Sequence, residues 1–287
     1  MEDLKKATFK YIHQDNDVVF DLKEAQNVLK DTLKDFQSFC EKYGIEFSLS
    51  YGSLLGAARN GDIIPWDNDV DLMTTRTDFE RLIGFMPKLS EFGLKAYHYT
   101  TIRHTYTNEV RIYRDGYYRI IESNGRKYLS PLCIDVFPFD KINRNTQKEA
   151  KILNKIKKDK EILLLKELKR NSRNMFYGMM RNLKKTLYIF LPSKRLHKRI
   201  EKNIAKLYSG GDDYYLFSSY ASEHFSLFFE KDLFDKLIKI KFGSLETHSI
   251  ESYKDFLTTI YGEWSKPCDR SGGKVFISKF LKRIDDK

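Results

Sequence analysis

Cysteine is scarce in this chain: 287 residues carry 3, at Cys40, Cys133 and Cys268, far apart and with no CxxC pair. That excludes a disulfide scaffold and the common zinc clusters, and it fits a reducing compartment. The six histidines form no HExxH and no triad pattern, so they read as structural. No run reaches the roughly 18 unbroken apolar residues of a spanning helix, and the opening MEDLKKATFKYIHQDNDVVF lacks a signal peptide's apolar core. A cytoplasmic protein is expected, one that can touch the inner face of a membrane without crossing it. There is no low-complexity tract and no internal repeat. With 41% hydrophobic and 14% aromatic residues, the chain has enough apolar surface to fold.

Negative charge is missing from one region in particular. Between Lys148 and Lys206 stand 19 Lys or Arg against 5 Asp or Glu, so the whole excess of the +11 net charge comes from this stretch. Within it, NMFYGMMRNLKKTLYIFLP (174–192) mixes Met, Phe, Tyr and Leu with Arg181, Lys184 and Lys185. Three readings fit that composition: a helix lying on an anionic membrane, a packed helical hairpin with a lysine-rich face, or a non-specific phosphate binder. No base-reading motif supports specific nucleic-acid recognition.

Periodicity divides the chain. Apolar residues from Val19 to Cys40 recur at spacings of three and four, which predicts a helix over 18–43 stopped by Gly44. IEFSLSY alternates as a strand, GSLLGAARNG reads as a glycine-punctuated turn with a short helical piece, and Thr77 is placed to cap a helix from Asp78. Short alternating runs over 95–137 predict a largely antiparallel sheet, long basic helices fill 146–208, and LIKIKFGSLETHSI and SYKDFLTTIYGEW predict strands and then a helix. The expected architecture is α+β, a mixed sheet flanked by helices. It divides into a core at 1–145, a basic helical insertion at 146–210, and a part at 211–287 that completes the core.

The chemistry concentrates in DIIPWDNDVDL. A strand puts alternate residues on one face with Cα atoms roughly 6.6–6.8 Å apart, so Asp67, Asp69 and Asp71 would point one way while Val70 and Leu72 enter the core. Such like charge is costly unless a cation offsets it. Two carboxylates at that spacing can converge on metal ions roughly 3.5–4 Å apart, as in-line displacement at phosphorus requires. A solvated turn is the plain alternative. A calcium loop is excluded, since its sixth and twelfth places hold Leu72 and Asp78. In CIDVFPFD, Asp135 sits between Ile134 and Val136 and would leave a buried strand on the opposite face, whereas Asp140 reads as a turn or cap.

YGSLLGAARNGDIIPWDNDVDL followed by IDVFPFD resembles the LicD family of phosphocholine transferases, related to fukutin-related protein and set within the nucleotidyltransferase superfamily. YKDFLTTIYGEWSKP resembles that family's closing pattern. The likeness is good over 22–140, weaker over 240–268, and absent in detail between.

The resemblance implies a nucleotidyltransferase-like fold and metal-dependent transfer of a phosphoalcohol. The donor would be a CDP-alcohol, CDP-choline first, and the acceptor a hydroxyl of a glycan or lipid-linked glycan. It implies Gly52 and Ser53 beside the donor phosphates, and Asp69, Asp71 and Asp135 as ligands of Mg²⁺ or Mn²⁺, two ions, with Asp135 as base. Trp66 and Asp67 would take a supporting part. Arg59 is either a phosphate contact or the ion-pair partner of an aspartate, and Lys274 in SGGK is a weaker phosphate candidate. Nucleotidyl transfer, and a non-catalytic basic membrane or nucleic-acid binder, remain as other readings.

Overall fold

A computed structural model describes residues 9–102, 108–123, 126–142, 147–167, 191–207, 215–218, 228–266 and 279–283. Two short strands, β1 (Phe9–Lys10) and β2 (Asp17–Phe20), precede helix α1 (Leu22–Tyr43). The Asp21 carboxylate accepts from the Glu24 N–H at 2.8 Å to start that helix, and Gly44, at φ 61°, ends it. Ala25, Val28, Leu29, Leu33, Phe36 and Phe39 form its buried face, as the spacing predicts. Val18 and Val19 belong to β2, not to the helix, and stand exposed.

The order continues β3 (Ser48–Leu49), α2 (Tyr51–Asn60), β4 (Val70–Thr75), α3 (Arg76–Phe85), β5 (Lys95–Tyr97), β6 (Val110–Ser123) and β7 (Arg126–Ile142). Helices α4 (Gln147–Glu167) and α5 (Ser193–Leu207) follow, then β8 (Tyr215–Ser218), β9 (Phe228–Phe229), β10 (Leu237–Phe242), β11 (Leu245–Ile250), α6 (Tyr253–Tyr261) and β12 (Lys279–Arg283). The fold is α+β. Its main sheet runs β2-β12-β6-β7-β4-β3, with β5 attached to β6, β1 and β8 to β7, and β9 to β8, while β10 and β11 form a separate hairpin. Among the described strands, β4 and β7 pair in parallel and their other pairings are antiparallel. Val70, Leu72, Ile134 and Val136 face one core together with Leu29, Leu33 and Phe36 of α1.

Four local expectations change. The strand foreseen over 45–51 shrinks to β3, because Ile45 and Phe47 reach the core from irregular backbone. The helix cap is Thr75, not Thr77: β4 runs straight into α3, and the Thr75 Oγ1 accepts from the Asp78 N–H at 3.2 Å. Asp140 lies inside β7, where its carboxylate takes Nε of Arg76 at 2.6 Å and Nη2 at 2.9 Å. The acidic strand begins only at Val70, so Asp67 and Asp69 sit in the loop ahead of it.

Helices α4 and α5 pack on each other around Ile152, Ile156, Leu163, Leu196, Ile200, Ile204 and Leu207, with Ile142 of β7 joining them. Polar contacts tie this pair to the sheet domain: Arg76 to Glu201 at 3.4 Å, Asn108 to Glu201 at 3.0 Å, and His197 to Asn108 at 2.9 Å. In its described parts the basic block is therefore a packed hairpin; most of 174–192 lies outside the described residues. Among the described residues no helix is long and apolar enough to cross a membrane.

Candidate active site

The site begins at a strained turn. Where β3 gives way to α2 the chain passes through the helix's first residue, Tyr51, at φ 43°, among the described residues the only non-glycine at positive φ. Burial of the Tyr51 ring against Phe137 and Phe256, with centroids 5.8 and 6.0 Å away, holds it there. The turn grips the backbone of Asp71 from both sides. Ser50 N–H donates to the Asp71 carbonyl, and the Asp71 N–H donates to Ser53 Oγ, each at 2.9 Å. Ser53 thus aims Asp71, a role beyond the phosphate contact that the family resemblance implies. Gly52 acts differently: a Cβ there would lie 3.0 Å from Asp67 Oδ2, so a side chain would push that carboxylate back by a few tenths of an ångström.

Strand β4 then sets Asp71 beside Asp135. The two are Cα partners in the parallel ladder, flanked by the pairs Val70 with Ile134 and Leu72 with Val136. Alternation sends the apolar pairs into the core and both carboxylates to the opposite face. The preceding loop adds Asp67 and Asp69. It is fixed from α1 by Gln26, whose Nε2 donates to the carbonyls of Asp67 at 2.8 Å and Ile64 at 3.2 Å. Trp66 is 40% exposed at its rim.

Charge rather than shape marks this as a site. Burial, then the charges of Asp69, Asp135, Asp67 and Glu109, hold the Asp71 carboxyl well above the usual range. Burial also pushes Asp135 up to about 7, although Arg111 Nε lies 3.3 Å from Oδ1 and pulls the other way. Arg111 is shared with Glu109, its Nη2 lying 2.9 Å from that carboxylate. Tyr261, at the end of α6, has its hydroxyl pushed up by burial and by Asp71, Asp67 and Asp69, so it faces the same acidic ground.

Among the described residues no three His, Cys, Asp or Glu side chains are gathered closely enough to hold a metal ion as placed. The donor set still suits a divalent cation: hard oxygen ligands, partly buried and mutually repelling, with Asp71 too costly to ionise unless positive charge arrives.

Other foreseen residues lie apart. Arg59 lies in the last turn of α2, about 9 Å along the axis from Ser53, and its Nε donates to Asn60 Oδ1 at 3.3 Å. Lys274 lies outside the described residues. Conversely Glu109, Arg111, Arg119 and Tyr261 are at or near the carboxylates without having been foreseen. Arg111 had a signal, since it alternates with buried Val110 and Ile112.

A Gly-Ser turn opening onto carboxylates of adjacent parallel strands is the arrangement of a nucleotidyltransferase-type domain. Residues 44–164 match the family described as LicD/FKTN/FKRP, nucleotidyltransferase domain. It is 27% identical over 253 residues to the lipopolysaccharide cholinephosphotransferase LicD of Haemophilus influenzae, covering 85% of this chain and 91% of that protein. A shorter stretch of 44 residues is 54% identical to the ribitol 5-phosphate transferase FKRP of Homo sapiens, 15% of this chain and 9% of FKRP. Mannosyltransferase regulator 4 of Saccharomyces cerevisiae is 42% identical over 55 residues, 19% of this chain and 5% of that protein.

Proposed function

We propose that this protein transfers a phosphoalcohol, phosphocholine first among candidates, from a CDP-alcohol to a hydroxyl of a cell-surface glycan or lipid-linked glycan precursor, releasing CMP. One observation carries the reading: Asp71 and Asp135 stand side by side in the parallel ladder, inside a domain alignable to a cholinephosphotransferase over 91% of that relative's length. Asp69, Asp71 and Asp135 would hold Mg²⁺ or Mn²⁺, two ions, whose charge would neutralise the diphosphate and the departing CMP. Ser53 and Ser50 keep Asp71 aimed. Asp135 would accept the acceptor hydroxyl's proton as that oxygen bonds to the β-phosphorus and the bond to the CMP oxygen breaks. Exposed Lys151, Lys155, Lys158, Lys194, Lys198 and Lys202 on α4 and α5 give the hairpin a surface suited to peripheral contact with anionic lipid.

The test is product analysis with purified protein, CDP-choline and Mg²⁺, with and without glycan acceptor. The expected result is metal-dependent release of CMP, lost in Asp71→Asn. Release of pyrophosphate from CTP, with CDP-choline untouched, would move the assignment to nucleotidyl transfer. CMP formation that persists in Asp71→Asn would remove the site.

A further inference from the structure

Two arginines project from β6 towards the acidic ground, and they are held differently. Arg111 is locked, with Nη2 2.9 Å from Glu109 and Nε 3.3 Å from Asp135. Arg119 stands further along, past an irregularity in the β6–β7 pairing that contains Gly116 at φ 83°. Its Nη1 donates to Asn68 Oδ1 at 2.9 Å. Asn68 separates Asp67 from Asp69, so this guanidinium rests on the acidic loop itself, and it also lies within electrostatic reach of Cys133, two residues before Asp135. Among the described residues Arg119 forms no ion pair. A cation beside the acidic loop is here kept on a neutral amide oxygen.

Resting on the transferase reading above, we infer that Arg119 is the residue of this chain that binds the donor's diphosphate, waiting on Asn68 until the donor enters. The bond from this guanidinium to a neutral amide is single and lacks the attraction that an anionic oxygen adds. A diphosphate offers several anionic oxygens that match the forked N–H groups of a guanidinium, so exchanging Asn68 for phosphate is favourable. Arg111 cannot make that exchange without leaving Glu109 and Asp135 uncompensated. Arg59 is carried by the far end of α2. Asn68 therefore has a use for being uncharged: an aspartate would turn a loose contact into an ion pair and compete with the donor.

Equilibrium binding of CDP-choline and of CTP, each with Mg²⁺, to wild type, Arg119→Met, Arg119→Lys, Asn68→Asp and the double variant Asn68→Asp/Arg119→Met tests this. Thermal melting of each variant checks folding. Arg119→Met should raise the Kd for CDP-choline about tenfold or more, with Arg119→Lys intermediate. Asn68→Asp should weaken binding in the wild-type background and add little in the Arg119→Met background, because its effect acts through the arginine. CDP-choline binding unchanged in a folded Arg119→Met would overturn the inference and leave the transferase reading standing. Full additivity of the two substitutions would overturn the waiting role of Asn68. Arg119-dependent binding of CTP with none of CDP-choline would support the arginine's role while sinking the donor assignment. Binding of neither to wild type would sink both.

Discussion

Asp71 and Asp135 are register partners on adjacent parallel strands, so their Cα atoms lie about 4.8 Å apart and their carboxylates leave the same face of the sheet. The Asp71 carboxyl is raised by burial and by the neighbouring charges. Its proton is retained in the folded state at pH values where the unfolded chain has lost it, so the group favours folding at low pH and costs stability as pH rises above about 3.8. Asp71→Asn removes that cost. Without metal, the variant should melt higher than wild type at pH 7.5, by about 2–4 °C, and the gap should close near pH 4. Added Mg²⁺ should raise the wild-type melting temperature and leave the variant unmoved. Scanning calorimetry at the two pH values, with and without metal, would detect a variant that melts lower at both, the result that contradicts this account.

Gly56 of α2 meets the turn that leads to the acidic loop. A Cβ at this position would lie 2.6 Å from the Asp62 carbonyl oxygen and 3.0 Å from the Ile64 N, both backbone atoms with nowhere to go. Gly56→Ala should cost about 1–3 kcal/mol in urea unfolding and lower the transfer rate, since the displaced turn carries Trp66 to Asp69. Gly84→Ala is the control: nothing lies within 4 Å of its Cβ, and the helix should gain about 0.5–1 kcal/mol. If both substitutions behave alike, packing at Gly56 is not what limits the residue.

Arg76 joins three elements. It binds Asp140 of β7, Glu80 of its own helix, and Glu201 of α5. Arg76→Met strands the Asp140 carboxylate, 5% exposed, with its compensating charge gone. The expected loss is about 3 kcal/mol, and Arg76→Met/Asp140→Leu should recover part of it. Denaturant titration decides the matter: a double variant as unstable as the sum of the two single ones would show that the pair is not coupled.

His98 should give the protein an acid limb. Buried near Arg76 and His197, with Phe79 and Tyr99 packed on its ring, it is held down to a pKa of about 3 chiefly by burial. The unfolded chain takes up that proton near pH 6.5 and the folded chain does not, so stability is undiminished above 6.5 and falls as pH drops towards 3. His98→Gln should show a smaller drop in urea midpoint between pH 7.5 and 4.5 than wild type does. Equal drops would assign the acid limb to other groups.

Local pattern made α1, the β10–β11 hairpin and α6 legible, because each is set by its own periodicity and stop signals such as Gly44. The paired carboxylates were legible for a similar reason: Asp71 and Asp135 each interrupt an apolar alternation. The acidic strand was drawn too long because Asp67 and Asp69 continue the alternation of Asp71, yet Ile64, Pro65 and Asp67 bend around the Gln26 amide of α1, a contact 41 residues distant in sequence. Ser53's grip on Asp71, Arg111's on Asp135 and Arg119's on Asn68 are all pairings across the sheet or across a turn. Composition carries no trace of them, since an arginine on a half-buried strand looks the same whether its partner is solvent or an aspartate.

Strand β12 lies between β2 and β6, with Phe280 opposite Phe20 on one side and Arg119 on the other. The place between β2 and β6 is thus filled by residues 279–283, made long after both neighbours have left the ribosome. Until they arrive, β2 has no partner there and β6, the strand that presents Arg111 and Arg119, keeps an open edge, the state in which sheets add foreign strands. Nascent or truncated chains lacking this segment should therefore depend on chaperones, and the candidate site, although encoded almost wholly before residue 140, can be finished only afterwards.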